Sequence, residues 1–169
     1  MAPTVGEMVF VDTNVLVSAT DESRLQHREA YGLIAESGPR GLHLAASGQI
    51  LREYLVVATR PTEVNGLGLT VVDATANLHQ FLRHIHTYEE TEAVAKRLRD
   101  LGISLGLRGK RFHDANIVAT MVAHGIHTLV TDNGDDFTAF DEIETVTVSG
   151  LAAALHAPGG RAESDPKAE

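Results

Sequence analysis

Acidic residues stand at several places in this chain where chemistry could use them. Asp12 follows the apolar run "MVFV". Asp132 follows "TLVT", with Asp135 and Asp136 just beyond. Asp114 opens the segment "HDANIVATMVAHG", and Glu53 lies in "QILREYLVV", whose other residues are largely apolar. Carboxylates gathered at one place repel by roughly 4 kcal/mol per pair at about 4 Å and an effective dielectric of about 20. A divalent cation relieves that repulsion, and all-oxygen ligands suit Mg²⁺ or Mn²⁺ rather than zinc. A carboxylate-held Mg²⁺ can activate water and stabilise charge on a phosphodiester.

Each acid also has an ordinary structural reading. Asp114 suits a helix N-cap or first turn, where a negative charge complements the helix dipole. Glu53 could lie on a solvated face beside Arg52, and Asp135 and Asp136 could be turn residues after Gly134. Asp12 could cap a helix beginning near Asn14, although a strand-end carboxylate without a nearby cation costs desolvation.

The elements that must position these acids alternate strand and helix. A short apolar strand at 8–12 precedes a helix at 24–37, which ends near Ser37–Gly38–Pro39. "GLHLAAS" reads as a second strand, running into Ser47 as N-cap of the helix "GQILREYLVVAT". That helix ends before Pro61. Thr70 caps a helix over "VVDATANLHQFLRHIH", with Asp73 completing an acidic variant of the capping box. "ETEAVAKRLRDLGI" is another amphipathic helix, followed by the loop "GLRGKRF", a helix over "HDANIVATMVAHG" and a strand "IHTLVTD". A last strand, "ETVTVSG", precedes "LAAALHAPGGRAESDPKAE". This alternation predicts a short, mainly parallel central sheet covered by helices. In such sheets ligands bind outside the carboxyl ends of the strands, where Asp12 and Asp132 fall. One domain over residues 1–156 and a tail without fixed structure at 157–169 are expected.

Composition limits the partners. The chain has 169 residues, 43% of them hydrophobic, and a formal charge of −9. Such a charge disfavours a general nucleic-acid coat. Yet Lys96, Arg97, Arg99, Arg108, Lys110 and Arg111 lie in one segment against a single acid, Asp100. This segment is either a solvated helix face or a place for an anionic partner. Arg108, Lys110 and Arg111, beside Asp114, are the candidates for holding RNA phosphates. Cysteine is absent, which excludes disulfides, thiolate metal sites and a cysteine nucleophile. No apolar run is long enough to span a membrane and no secretory signal is visible, so the expected location is cytoplasmic. The nine histidines contain no H-E-x-x-H, and there is neither a G-x-S-x-G nor a Walker-type glycine loop. His113 could contact phosphate, or it is a surface histidine.

Four segments in order, "VFVDTNVLV", "GQILREYLVVATRP", "FHDANIVATMVAHGI" and "TLVTDNGDDF", carry a resemblance that runs from about residue 8 to residue 140. The chain resembles the PIN-domain ribonucleases, and within them the VapC-type toxins of toxin–antitoxin pairs. The resemblance implies a PIN-like three-layer α/β sandwich and a Mg²⁺- or Mn²⁺-dependent endoribonuclease. Asp12, Glu53 and Asp114 would be its catalytic metal-site acids, and Thr13 an accessory polar group. Thr131, Asn133, Asp136 and Phe137 match the family's Thr-x-Asn-x-x-acid-Phe pattern, which favours Asp136 as fourth acid with Asn133 as a polar accessory. The residues alone favour Asp132, directly at the strand end. Some relatives carry an acid where Asn133 stands. The resemblance further implies an RNA substrate, a homodimer and a cognate antitoxin whose C-terminal segment occludes the acidic site. The acid cluster would accept a basic antitoxin side chain in place of metal.

Other functions compete. One is a housekeeping nuclease of the same fold without an antitoxin, and another is a non-catalytic binding module whose acids do not converge. A receiver-like signalling domain also has strand-end aspartates. It would want an acidic pair at the first strand, a phosphoacceptor at the third and a strand-end lysine, none of which can be placed here.

Overall fold

The computed structural model describes residues 6–156. The elements are β1 (Met8–Val11), α1 (Thr13–Thr20), α2 (His27–Glu36), β2 (His43–Ser47), α3 (Gly48–Thr59) and α4 (Val71–Phe81). They continue with β3 (Ile85–Tyr88), α5 (Glu92–Ser104), α6 (Arg111–Ala123), β4 (Thr128–Val130), β5 (Glu144–Val146) and α7 (Val148–His156). The strands form one sheet in the order β3-β2-β1-β4-β5, and all four neighbouring pairs are parallel. Helices α1, α2 and α3 pack together and extend to α4 and α7, while α5 pairs with α6. This is the expected three-layer α/β sandwich. The expected tail, 157–169, and the first five residues of the expected domain lie outside the described residues.

β1 is the central strand. Val9, Phe10 and Val11 have no exposed surface, which is why the run reads as continuously apolar instead of alternating. Their neighbours Leu44, Ala45, Leu129 and Val130 are equally buried, with Val15, Leu16, Ile50, Tyr54 and Met121 packed over them from the helices. The direction of winding reverses between β1 and β4, making a crevice at their carboxyl ends. Val11 pairs with Val130, so the residues that follow, Asp12 and Thr131, meet at the mouth of that crevice.

Three local expectations are corrected. The helix expected over 71–86 ends at Phe81, and Ile85–Tyr88 is an edge strand whose Leu44↔Ile85 to Ser47↔Tyr88 register extends the sheet beyond β2. Leu82 continues in helical geometry, and the turn is closed by Arg83 and His84 donating to Gln80 and Phe81. Sheet pairing there overrides local helical spacing. The strand expected over 144–150 stops at Val146, and Val148 opens α7, which buries Val148, Leu151 and Ala152 against α2. Ser47 precedes α3 but makes no capping hydrogen bond, and its hydroxyl is buried without a partner. The Glu90 carboxylate accepts from the Gln49 N–H instead, at 2.9 Å. Thr70, by contrast, caps α4 as expected, accepting from Asp73 N–H at 3.1 Å and donating to its carboxylate at 2.6 Å.

Candidate active site

Asp12 both caps a helix and lines the cleft at the end of β1. It is the N-cap of α1, with Oδ1 accepting from the Thr13 N–H at 2.6 Å. Its Oδ2 accepts from Asn14 Nδ2 at 2.8 Å and from the Thr131 hydroxyl at 2.7 Å. Thr131, itself buried, also accepts from Asn14 Nδ2 and from the Asn133 N–H. The apolar β1 thus ends in a polar clasp built from three neighbouring segments. Burial holds the Asp12 carboxyl above the ordinary carboxylate range. The hydrogen bonds from Thr131 and Thr13 pull it down, and the charges of Glu53 and Asp114 push it further up.

Glu53 reaches the same cleft from the second turn of α3. Both of its oxygens are fixed, Oε2 by the Thr13 hydroxyl at 2.9 Å and Oε1 by Gln49 Nε2 at 2.8 Å. His113 Nδ1 stands 3.9 Å from Oε1. Gln49 is buried, donates also to the His113 carbonyl at 3.0 Å, and accepts from Asn116 Nδ2 at 2.7 Å. Asn116 also reaches Glu90. The buried Gln49 amide therefore ties α3 to the start of α6 around a single carboxylate, and the Gln49 N–H and Asn116 tie both to Glu90, after β3.

Asp114 and Asp136 complete the ring. α6 begins at Arg111, two residues before the expected start, so Asp114 lies inside its first turn and caps nothing. Burial raises the Asp114 carboxyl, then the charge of Asp136 does; Arg111 and His113 oppose this, and Glu53 adds to it. Neither the Asp114 nor the Asp136 carboxylate takes a hydrogen bond from any described residue. Asp136 comes from the short 3₁₀ turn Gly134–Phe137 after β4.

These four acids line one cleft together with Thr13, Asn14, Gln49, Asn133, His113, Arg24 and Asn65, over Val17, Val57, Ile117 and Phe137. The structure therefore brings Asp12, Glu53, Asp114, Asp136, Thr13 and Asn133 together. It does not bring in Asp132, whose Oδ1 accepts from the Val148 N–H at 3.2 Å and so fixes the start of α7. Nor do Arg108, Lys110 and Arg111 line the cleft. All three are exposed, and Arg108 and Arg111 border a separate depression with Leu105, Leu107 and Ala139. Arg111 still acts on Asp114 through its charge. Sequence reasoning missed Gln49, Asn116, Arg24 and Asn65. Only Gln49 left a trace, one helical turn before Glu53.

Among the described residues, no three His, Cys, Asp or Glu side chains are grouped closely enough to hold a metal ion by themselves. The donor chemistry nevertheless fits a hard divalent cation. All four groups are carboxylates, two lack any protein donor, and Asp12 and Asp114 are raised partly by their neighbours' charge. Mg²⁺ keeps several of its waters and takes only one or two carboxylates directly, so it does not require a tight protein cage.

A five-stranded parallel α/β sandwich with an acid-lined cleft at the β1/β4 switch point defines a class of fold, and comparison with known proteins assigns the family. The PIN domain model matches residues 9–143. Ribonuclease VapC48 of Mycobacterium tuberculosis is 32% identical over 139 residues, which cover 78% of this chain and 91% of the relative. Among solved structures, VapBC2 from Rickettsia felis, bound to a DNA fragment from its promoter, matches with a TM-score of 0.63 at 17% identity. That match covers 83% of this chain and 98% of the other. VapC20 of Mycobacterium tuberculosis, described as a Sarcin-Ricin loop cleaving toxin, matches with a TM-score of 0.59 at 20% identity, over 78% and 95% of the two chains. The chain belongs to the PIN-domain family.

Proposed function

We propose that this chain is a divalent-metal-dependent endoribonuclease and the toxin of a toxin–antitoxin pair, acting through Asp12, Glu53, Asp114 and Asp136. The observation that carries this is the convergence of those four carboxylates from β1, α3, α6 and the post-β4 turn on one cleft at the switch point. The ribonuclease name of the 32%-identical relative supports RNA as substrate. The VapBC complex of the same fold supports an antitoxin partner. A homodimer is part of the same proposal, as is a single domain over 1–156.

Mg²⁺ or Mn²⁺, held by Asp12, Asp114 and Asp136 with Glu53 alongside, would supply charge neutralisation at a phosphodiester and an activated water. The chain's own residues do the rest. Thr131, Asn14 and Thr13 lock Asp12 at the end of a rigid strand. Thr13 and Gln49 hold both oxygens of Glu53, so its remaining lone pairs face the cleft in one orientation, suited to positioning the attacking water and taking its proton. Asp114 and Asp136, free of protein donors, are left to the cation. A basic antitoxin side chain placed among the same carboxylates would replace it.

The test is induction of wild type and Asp12→Asn in cells, followed by mapping of 5′ ends of cellular RNA. Discrete new ends with wild type alone, suppressed when a short upstream open reading frame is co-expressed, are expected. Cleavage that no neighbouring product suppresses assigns the chain to a housekeeping nuclease. No new ends at all would leave a binding module.

A further inference from the structure

Arg24, in the turn between α1 and α2, is the one Lys or Arg side chain lining the acidic cleft among the described residues. It is not paired with any of the four acids there. Its Nε donates to Asp21 Oδ2 at 3.3 Å. The other oxygen of Asp21 is itself held by the Ser23 hydroxyl at 2.6 Å and the Ser23 N–H at 3.0 Å. A cation serving only to balance the acids would pair with them. This one is anchored outside them through one nitrogen, and its two terminal nitrogens meet no acceptor among the described residues. That is the half of a guanidinium suited to a phosphate, which matches its planar fork.

A second residue reaches the same cleft from the loop between α3 and α4. Asn65 has φ 61°, the single positive φ outside glycine among the described residues. The turn that holds it needs Gly66, because a Cβ there would collide with the Arg60 carbonyl. The Asn65 amide takes no partner from the described residues, and an amide offers both donors and an acceptor to a sugar hydroxyl or base edge.

We propose that Arg24 and Asn65 form a nucleotide-binding wall of the cleft, Arg24 taking a phosphate of the RNA strand beside the one that is cut and Asn65 facing its sugar or base. This rests on the cleft being an RNA-cleaving site. It moves the phosphate contact from Arg108, Lys110 and Arg111, which lie outside the cleft, to a residue inside it.

The probe is a fluorescein-labelled pool of random-sequence single-stranded RNA 12-mers. Its binding to the full chain is followed by anisotropy in Ca²⁺, its cleavage in Mg²⁺, and Mn²⁺ affinity by calorimetry without RNA. Arg24→Ala should weaken pool binding by about tenfold and reduce the salt slope by about 0.7, the value for one phosphate contact on a single strand. It should raise KM more than it lowers kcat and leave Mn²⁺ affinity unchanged. Arg24→Lys should recover part of the loss, and Asn65→Gly, which keeps the backbone conformation, should weaken binding severalfold. Unchanged pool binding and salt slope in Arg24→Ala, with cleavage by the wild type intact, would overturn the subsite alone. So would tighter Mn²⁺ binding and higher activity at low Mg²⁺, because Arg24 would then be a counter-charge to the acids. A wild type that neither binds nor cuts the pool overturns both the subsite and the nuclease.

Discussion

Asp114→Asn perturbs the acid cleft with the fewest side effects. The carboxylate takes no hydrogen bond from any described residue, caps no helix, and has Asp136 and Glu53 as like-charged neighbours. Replacing it by an amide removes those repulsions and leaves no donor orphaned. Two like charges about 4 Å apart repel by roughly 1 kcal/mol in water and roughly 4 kcal/mol at an effective dielectric of about 20, and the repulsion falls inversely with distance. Arg111 and His113 offset part of this for the native side chain. A half-exposed site in salt loses more to screening, which leaves a net gain of about 1–2 kcal/mol for the variant without metal. In a chain of this size 1 kcal/mol moves Tm by about 2–4 °C, so Asp114→Asn should melt about 2–8 °C higher than wild type in EDTA. Mg²⁺ should reverse the order. A ligand at a hundred times its Kd stabilises by about 2.7 kcal/mol, a gain that wild type keeps and the variant largely loses. The pH dependence has a definite sign. A carboxyl raised in the folded state favours folding while protonated, and its penalty grows as pH rises from the unfolded value, about 3.9, through the raised folded value. The difference between variant and wild type in EDTA should therefore be small near pH 4 and reach its plateau by neutral pH. The assay is thermal melting by circular dichroism across pH, in EDTA and in Mg²⁺. A variant that melts lower than wild type in EDTA, or gains as much from Mg²⁺, refutes a shared cation site at Asp114.

Further variants separate site residues from scaffold. Asp132→Ala should destabilise by about 0.5–2 kcal/mol, as loss of a cap at the start of α7 does, while keeping RNA cleavage; Asp136→Asn should do the reverse. Paired melts and cleavage assays check both. Gln49→Leu should lower stability by about 1–3 kcal/mol, because it removes a buried amide's hydrogen bonds to Glu53, Asn116 and the His113 carbonyl, and should depress kcat more than KM by freeing Glu53. Thr131→Val should lower Mn²⁺ affinity in calorimetry and slow cleavage, since Asp12 Oδ2 and the Asn133 N–H both depend on that hydroxyl.

Asp12 and Asp114 were visible in the sequence because each follows a strong local signal, an apolar strand and the start of an apolar-spaced helix; Glu53 stood out as an acid among apolar residues, and Asp136 was favoured only by the family's Thr-x-Asn-x-x-acid-Phe pattern. Adjacency to a strand end misleads at Asp132. Its side chain turns to Val148, at the start of a helix that the strand-like run "ETVTVSG" concealed. β3 was hidden for a related reason. "HIH" continues the spacing of α4, and only pairing with β2, which is remote in sequence, makes it a strand. Gln49 and Asn116 act through contacts between distant segments, 67 residues apart for their mutual bond, and Arg24 comes to the cleft only because the fold places the α1–α2 turn beside it. No local pattern records such contacts. The Ser47 cap fails likewise, because the Glu90 carboxylate, 41 positions from Gln49, serves the helix instead.

The central claim is that Asp12, Glu53, Asp114 and Asp136 form one divalent-cation site that cuts RNA. Its most direct test incubates purified chain with total RNA in EDTA, Mg²⁺ or Mn²⁺, with wild type and each of the four acid-to-amide variants, and maps the 5′ ends produced. Discrete ends from wild type in Mg²⁺ or Mn²⁺ alone, lost in all four variants, are predicted. Ends that persist in EDTA, or that survive substitution of any of the four acids at the wild-type rate, would contradict it.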